Sequence, residues 1–223
     1  MIKISLPNAT RPPRHHPADE MLLDLATGGA STSEALMLET HLAYCAQCRS
    51  KALLLDRLGG ALLDALEPAA LPPNMLNRTL HAIELAGEPE APVQPAGPGD
   101  LLEASLTHSD WRKLPGGFRM RRIRDGSNAA NATNGRVWLF DAPAGMKLFQ
   151  HRHVGDEWTV VLAGELLDGD ESYRAGDFVR LPDAHCHQPV MGADGRCISL
   201  ILVRNTPRYT TPLGKIAAPF LRL

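Results

Sequence analysis

Long apolar runs are missing from this chain of 223 residues. Nowhere do eighteen apolar residues follow one another, and the opening stretch MIKISLPNATRPPRHH holds no continuous apolar segment. That argues against a membrane-spanning helix and a secretory leader, so the sequence reads as a soluble, cytoplasmic protein. Charge of one sign is missing too. Lys and Arg number 23 against 25 Asp and Glu, a formal charge of -2, and no basic stripe stands out, which leaves no electrostatic footprint for nucleic acid. Cysteine is scarce: four residues are too few for a secreted disulfide framework, and the close pair Cys45 and Cys48 suits a metal or redox site in a reducing compartment. No internal repeat is evident.

The one low-complexity stretch, GEPEAPVQPAGPGD at 87–100, packs four prolines and three glycines into fourteen residues. It reads as an extended, partly stiff linker. Before it, apolar residues recur at helical periods: Met21, Leu22 and Leu25; Leu36, Leu38 and Leu42; Leu54, Leu55, Leu58, Leu62 and Leu66; Leu76, Leu80 and Ile83. Pro17 suits a first helical turn, Ser31-x-x-Glu34 reads as a capping box, and Gly28-Gly29 stops the first helix. After the linker come short runs (RVWLF, EWTVVLAG, DFVRLP, CISLILV) between Gly, Pro, Asp and Asn turns, the pattern of an all-β sandwich or barrel. The expected organisation is an all-α domain over 1–86, a linker over 87–100 and an all-β domain over 101–223.

Two constellations carry chemistry. In HLAYCAQC, positions 41, 45 and 48 are i, i+4 and i+7, so a continuous helix projects His41, Cys45 and Cys48 from one side. A tetrahedral zinc needs a fourth ligand, and His15 or His16 at the mouth of the first helix supplies it. In a domain of this size such a staple matters, because a small core supplies only about 3–5 kcal/mol. A thioredoxin-like redox pair would instead need a strand before the cysteines. In the second half, GMKLFQHRHVGDEWTVVLAG spells G-x5-H-x-H-x3-E-x6-G, and His151, His153 and Glu157 share one strand parity. Farther on, GDFVRLPDAHCHQPVM offers His185 and His187, again of one parity, either of which completes a set of three imidazoles and a carboxylate. Such a set suits Zn, Fe, Mn or Ni.

The first constellation resembles the zinc-binding anti-sigma domain, and the resemblance selects His16, whose twenty-four-residue distance to His41 is similar to the family spacing. The second resembles the two cupin motifs, with the family histidine falling on His187, Ala184 standing where glycine is usual and Met191 where asparagine is frequent. The chain as a whole resembles the ChrR family of anti-sigma factors. That resemblance implies an N-terminal helical zinc bundle, a C-terminal cupin (jelly-roll) barrel, and a partner, an extracytoplasmic-function sigma factor, bound by the helical half. It also implies a cupin needed for the response to oxidative, above all photo-oxidative, stress. Zinc would be held by His16, His41, Cys45 and Cys48, and a second divalent metal by His151, His153, Glu157 and His187, with no catalytic role assigned.

Two rival readings follow from the same residues. One is a metal-dependent dioxygenase or hydrolase whose acid, base or clamping groups are sought among Glu165, Asp177 and Arg180. The other is a thiol switch at Cys45 and Cys48. Arg119, Arg121, Arg122 and Arg124 read as a solvated strand face, and Cys186 and Cys197 as small core residues more than as redox thiols.

Overall fold

The computed structural model describes residues 11–86, 110–123 and 135–218. The expected linker, the first residues of the expected β domain and Arg124 lie outside the described residues. Helix α1 (Asp19–Ala26) begins at Asp19, two residues later than Pro17 suggests, with Asp19 and Glu20 favourably placed at the positive end of its dipole. It ends at Thr27, where Gly28 takes φ +73°. Helix α2 (Thr32–Tyr44) opens on a complete capping box: the Glu34 N–H donates to Ser31 Oγ at 3.3 Å, and the Ser31 N–H donates to Glu34 Oε2 at 2.8 Å.

At Cys45 the backbone leaves the helix (φ -109°, ψ 103°) and re-enters it as α3 (Ala46–Asp64). This corrects the expectation of one continuous helix through HLAYCAQC. The Cys45 sulfur accepts the Cys48 N–H at 3.4 Å and so caps the new helix, which frees the two cysteines from helical spacing and turns both sulfurs inward. Helix α4 (Met75–Ala86) follows.

The second half is a barrel of antiparallel strands: β1 (Arg112–Lys113), β2 (Arg119–Ile123), β3 (Arg136–Ala142), β4 (His151–Arg152), β5 (Glu157–Ala163), β6 (Glu165–Asp168), β7 (Glu171–Arg174), β8 (Phe178–Leu181), β9 (Cys186–His187), β10 (Val190–Met191), β11 (Cys197–Val203) and β12 (Arg208–Tyr209), closed by a short helix α5 (Pro212–Ala217). A six-stranded sheet runs β1-β2-β3-β11-β5-β8, faced by two three-stranded sheets, β10-β6-β7 and β12-β4-β9.

Strands β5 and β11 are buried on both faces, which explains why they read as unbroken apolar runs. Residues of one parity, among them Val161, Ile201 and Val203, face the barrel interior with Phe118, Met120 and Phe140. The other parity, Trp158, Val160, Leu200 and Leu202, forms one cluster with Met21, Leu36, Met37 and Leu38 of the helices. The core of the helical half is therefore largely the outer wall of the barrel. That is why α2 buries residues around most of its circumference: it is sandwiched between α1, α3 and the sheet.

Polar groups fix this packing. The fully buried Asp177 accepts from the backbone N–H of Arg14 (2.6 Å), His15 (3.1 Å) and Arg174 (2.8 Å) and from Arg11 Nη2 (3.0 Å). The Phe178 N–H donates to the His15 carbonyl at 3.0 Å, so the segment before α1 lies against β8. Gly176, at φ +90°, lets Pro13 and Tyr44 come so close that an added Cβ would meet them at 2.7 and 2.8 Å. Arg204 joins Glu34 of α2 (2.6 Å) to Asp156 (2.8 Å).

Burial pushes the Asp177 carboxyl up, but its three N–H donors and Arg11 together hold it below the ordinary aspartate value. A depressed pKa contributes stability that is present above the unfolded value and lost as pH falls through the folded one. Asp177→Asn is thus expected to cost about 2–4 kcal/mol in urea unfolding at neutral pH, a cost that shrinks below pH 4. An unchanged midpoint at pH 7 would remove Asp177 as the tie.

Candidate metal centres

In the helical half, the ligand atoms of His16, His41, Cys45 and Cys48 all lie within 4.8 Å of one another. His16 Nδ1 is 3.4 Å from each sulfur. His41 is fully buried, and its Nδ1 is 2.7 Å from the Gly176 carbonyl. A carbonyl only accepts, so Nδ1 carries the proton and Nε2 presents a lone pair to the cluster. That Nε2 is buried with no hydrogen-bond partner, and burial drives the imidazole pKa down to about 4, so the ring is neutral.

Burial, together with neighbouring Cys45, pushes the Cys48 thiol up to about 12 in the bare protein. Two sulfurs, a neutral imidazole with an orphaned nitrogen and a second imidazole fit a tetrahedral zinc. His15, the other candidate at this position, is turned away toward Asp177 and Glu171, 3.6 Å from each. Both cysteines are buried, which withholds from oxidants the exposed thiolate a direct thiol switch requires.

In the barrel, His187 Nε2 is 2.9 Å from His153 Nε2 and 3.1 Å from His151 Nε2. Strand pairing explains the meeting: β4 and β9 align His151 directly with His187. The His151 Nδ1–H donates to the Phe149 carbonyl at 2.8 Å, and the His187 Nδ1–H to Asp168 Oδ2 at 2.7 Å. Burial drives His151 down to about 4 and His153 to about 3. With Nδ1 protonated on a neutral ring, the converging Nε2 atoms of His151 and His187 are both lone pairs, which repel unless a cation lies between them.

Glu157 is buried behind His153, with Oε2 3.3 Å from His153 Nδ1, and burial pushes its carboxyl up to about 8. Its oxygen meets His153 at Nδ1, away from the converging Nε2 atoms, so the atoms that the structure brings together for a metal are those of His151, His153 and His187, and Glu157 stands behind His153. His185 stands outside the histidine trio but forms a second close group with His187 and Asp168, its Nε2 3.7 Å from Asp168 Oδ2.

Residues 103–206 match the ChrR Cupin-like domain family. The anti-sigma-E factor ChrR of Cereibacter sphaeroides is 31% identical over 216 residues, covering 94% of this chain and 99% of the relative. The chain belongs to the ChrR family of anti-sigma factors. A crystal structure of Rhodobacter sphaeroides SigE in complex with the anti-sigma ChrR matches with a TM-score of 0.70 at 30% identity, covering 85% of this chain and 98% of that one.

Membership sharpens several features of this ChrR-family chain. Ala184, standing where the cupin motif usually has glycine, takes φ +62°, the left-handed conformation that glycine adopts without strain. Beside the histidine trio opens a barrel cavity of about 660 Å³ whose wall includes His151, Glu157 and His187 together with Met120, Phe140 and Ile201. None of Glu165, Asp177 and Arg180 lines it. Glu165 pairs with Arg174 at 2.8 Å, Arg180 with Asp156 at 2.9 Å, and Asp177 ties down the N-terminal segment. Cys197 is buried and pushed up to about 12 by that burial, and Arg119 and Arg121 pair with Asp141 and Asp110.

The residue that sequence reasoning overlooked is Asp168, which belongs to no motif and reaches His187 only through the β6-β10 pairing that brings strand ends together. Holding Nδ1 of a metal-facing imidazole is a role whose removal typically lowers affinity tenfold to a hundredfold. Asp168→Asn is expected to weaken cupin metal retention by that factor in a competitive chelator titration, with the helical site unaffected; equal loss at both sites would point to general unfolding instead.

Proposed function

We propose that this chain binds and inhibits an extracytoplasmic-function sigma factor in the cytoplasm through α3 and α4. Zinc on His16, His41, Cys45 and Cys48 holds the first half (1–86) in shape. The cupin half (101–223), joined through 87–100 and carrying a divalent Zn, Fe, Mn or Ni on His151, His153, Glu157 and His187, sets the response to oxidative and photo-oxidative stress. The observation that carries this reading is the leucine surface. Helix α4 buries no residue and α3 buries only Cys48, while Leu58, Leu62, Leu66 and Leu80 are 50–66% exposed. Monomeric proteins seldom leave so long an apolar surface uncovered. Its relatives ChrR and the SigE complex supply the kind of partner that covers it.

The residues divide the work. His41 spans the two halves, with one nitrogen toward the thiols and the other on the cupin backbone at Gly176. Cys45 ends α2 and starts α3, so it sets the angle at which the leucine surface leaves the bundle. Zinc held there would crosslink these four side chains, and a metal on the barrel histidines would supply Lewis-acid chemistry beside the cavity. A signal that favours one arrangement of the complex then shifts the restraint, as long as it binds or modifies the two states unequally. Among the described residues no helix is long and apolar enough to cross a membrane.

The test is co-expression of the full chain with extracytoplasmic-function sigma factors from its own genome, followed by co-purification, metal analysis and transcription assays. One stoichiometric complex, transcriptionally silent and carrying zinc, is expected; failure to capture any of them would refute the reading. The enzyme reading draws on the cavity alone, since the acid–base candidates assigned to it lie elsewhere. Turnover of a defined substrate by the full chain, lost on His153→Ala, would revive it.

A further inference from the structure

The lining of the barrel cavity is sorted by depth. Of its wall residues, the exposed ones are Arg112, Lys113, Pro115 and Lys147, three of them cationic. Its acids, Glu157 and Asp168, stand with the histidines, Glu157 buried and Asp168 half-buried. The rest of the wall is largely Phe, Met, Leu, Val and Ile side chains such as Met120, Phe140, Val179 and Ile201. A volume of about 660 Å³ is in the range that encloses ligands of some twenty non-hydrogen atoms. Exposed cationic residues, an apolar wall and a polar histidine patch suit a ligand with an anionic head and an apolar body.

We infer that the cupin cavity binds a long-chain monocarboxylate, a fatty acid or its oxygenated derivative, head at Lys113 and Lys147 and chain against Met120, Phe140, Val179 and Ile201. This deepens the reading of the cupin half as the responsive half and rests on it for its purpose, though not for the binding itself. Cavity walls of this kind select by length. Each methylene buried is worth about a fourfold gain in affinity until the chain fills the space, after which added carbons are rejected.

The test uses the metal-loaded full chain, with dansyl-labelled undecanoate as reporter and saturated carboxylates of eight to eighteen carbons as competitors. Expected is a dissociation constant that falls about fourfold per methylene and then levels or rises. Lys113→Glu/Lys147→Glu, both on the surface, should weaken dodecanoate at least tenfold and leave dodecanol unchanged. Val179→Phe, which narrows the cavity, should weaken both, whereas Leu58→Glu on the exposed helix should weaken neither.

No displacement by any chain at 100 µM, or loss of binding in Leu58→Glu with Val179→Phe unaffected, would overturn the inference, the second outcome placing the lipid on the leucine surface. If Val179→Phe fails to fold, the carboxylate-to-alcohol comparison in the lysine variant still decides. Binding in the cavity that leaves a sigma complex intact would sink the sensing role and keep the site. A complex that responds to oxidant while no chain binds would do the reverse.

Discussion

With zinc in the helical half as proposed, Cys48→Ser is expected to lose that zinc and to weaken sigma-factor binding a thousandfold or more, while the barrel keeps its fold and any metal on its histidines. The size of the effect follows from how little else orients α3. Its local cluster is Leu22, Cys45 and Cys48, with Leu42 and Leu55 partly buried around them. Structural zinc in small domains contributes an apparent 10–16 kcal/mol or so, and nothing in a cluster of this size replaces that. Helices α1 and α2 should stay in place, because Met21, Leu36, Met37 and Leu38 belong to the cluster on the barrel wall. Metal analysis of the variant, its circular dichroism and its affinity for the sigma factor separate the outcomes. Full affinity in a zinc-free protein would show that the cluster supports nothing at the interface; a collapse of the β signal would show that the halves fold as one.

Replacing Leu58 and Leu62 together by glutamate should lower sigma-factor affinity by at least a hundredfold and leave the free protein as stable as before. The two side chains are 56% and 63% exposed and lie one turn apart on the same side of α3. Each leucine newly buried against a partner is worth about 1.5–3 kcal/mol, and a carboxylate forced into the same contact adds a desolvation penalty. In the unbound chain these positions face water, so the melting temperature should stay level, the reverse of what a core substitution does. A double variant that melts early and still binds would mean that the leucines pack within the chain after all. The Cys48 variant bears on how the surface is held, and this one on what the surface touches.

Part of the cupin centre was legible from residue types and motif spacing, a short-range rule that named His151, His153 and the second histidine pair; its strand-parity form did not hold, since β4 ends at Arg152 and β5 begins at Glu157, which sits at His153 Nδ1 outside the trio. The same rule could not reach Asp168, whose role depends on which strand ends the barrel closes together. For the helical centre, residue types and spacing named His41, Cys45 and Cys48 and left His15 and His16 open; the family resemblance chose His16, which is the one that the structure groups with them. The local geometry was not legible, since a helix break capped by the very sulfur that serves the cluster leaves no mark in propensity.

Periodicity also found the leucine stripes of α3 and α4 without revealing their fate. An amphipathic face has the same pattern whether it is covered by its own chain or by another. Gly176 carried a double meaning: part of the second cupin motif by spacing, it is in the structure also the seat on which Pro13 and Tyr44 rest.

The uncovered stretch from α3 through α4 has a consequence for the lifetime of the protein as well as for its affinity. Two helices that bury almost nothing open at little free-energy cost, and cellular proteases cut what opens. Once seated on a partner, the same helices are removed from that pool by mass action. Molecules made in excess of the sigma factor would then be degraded first, so abundance would track the partner, and the ratio of restraint to target would stay close to one without any separate control of synthesis.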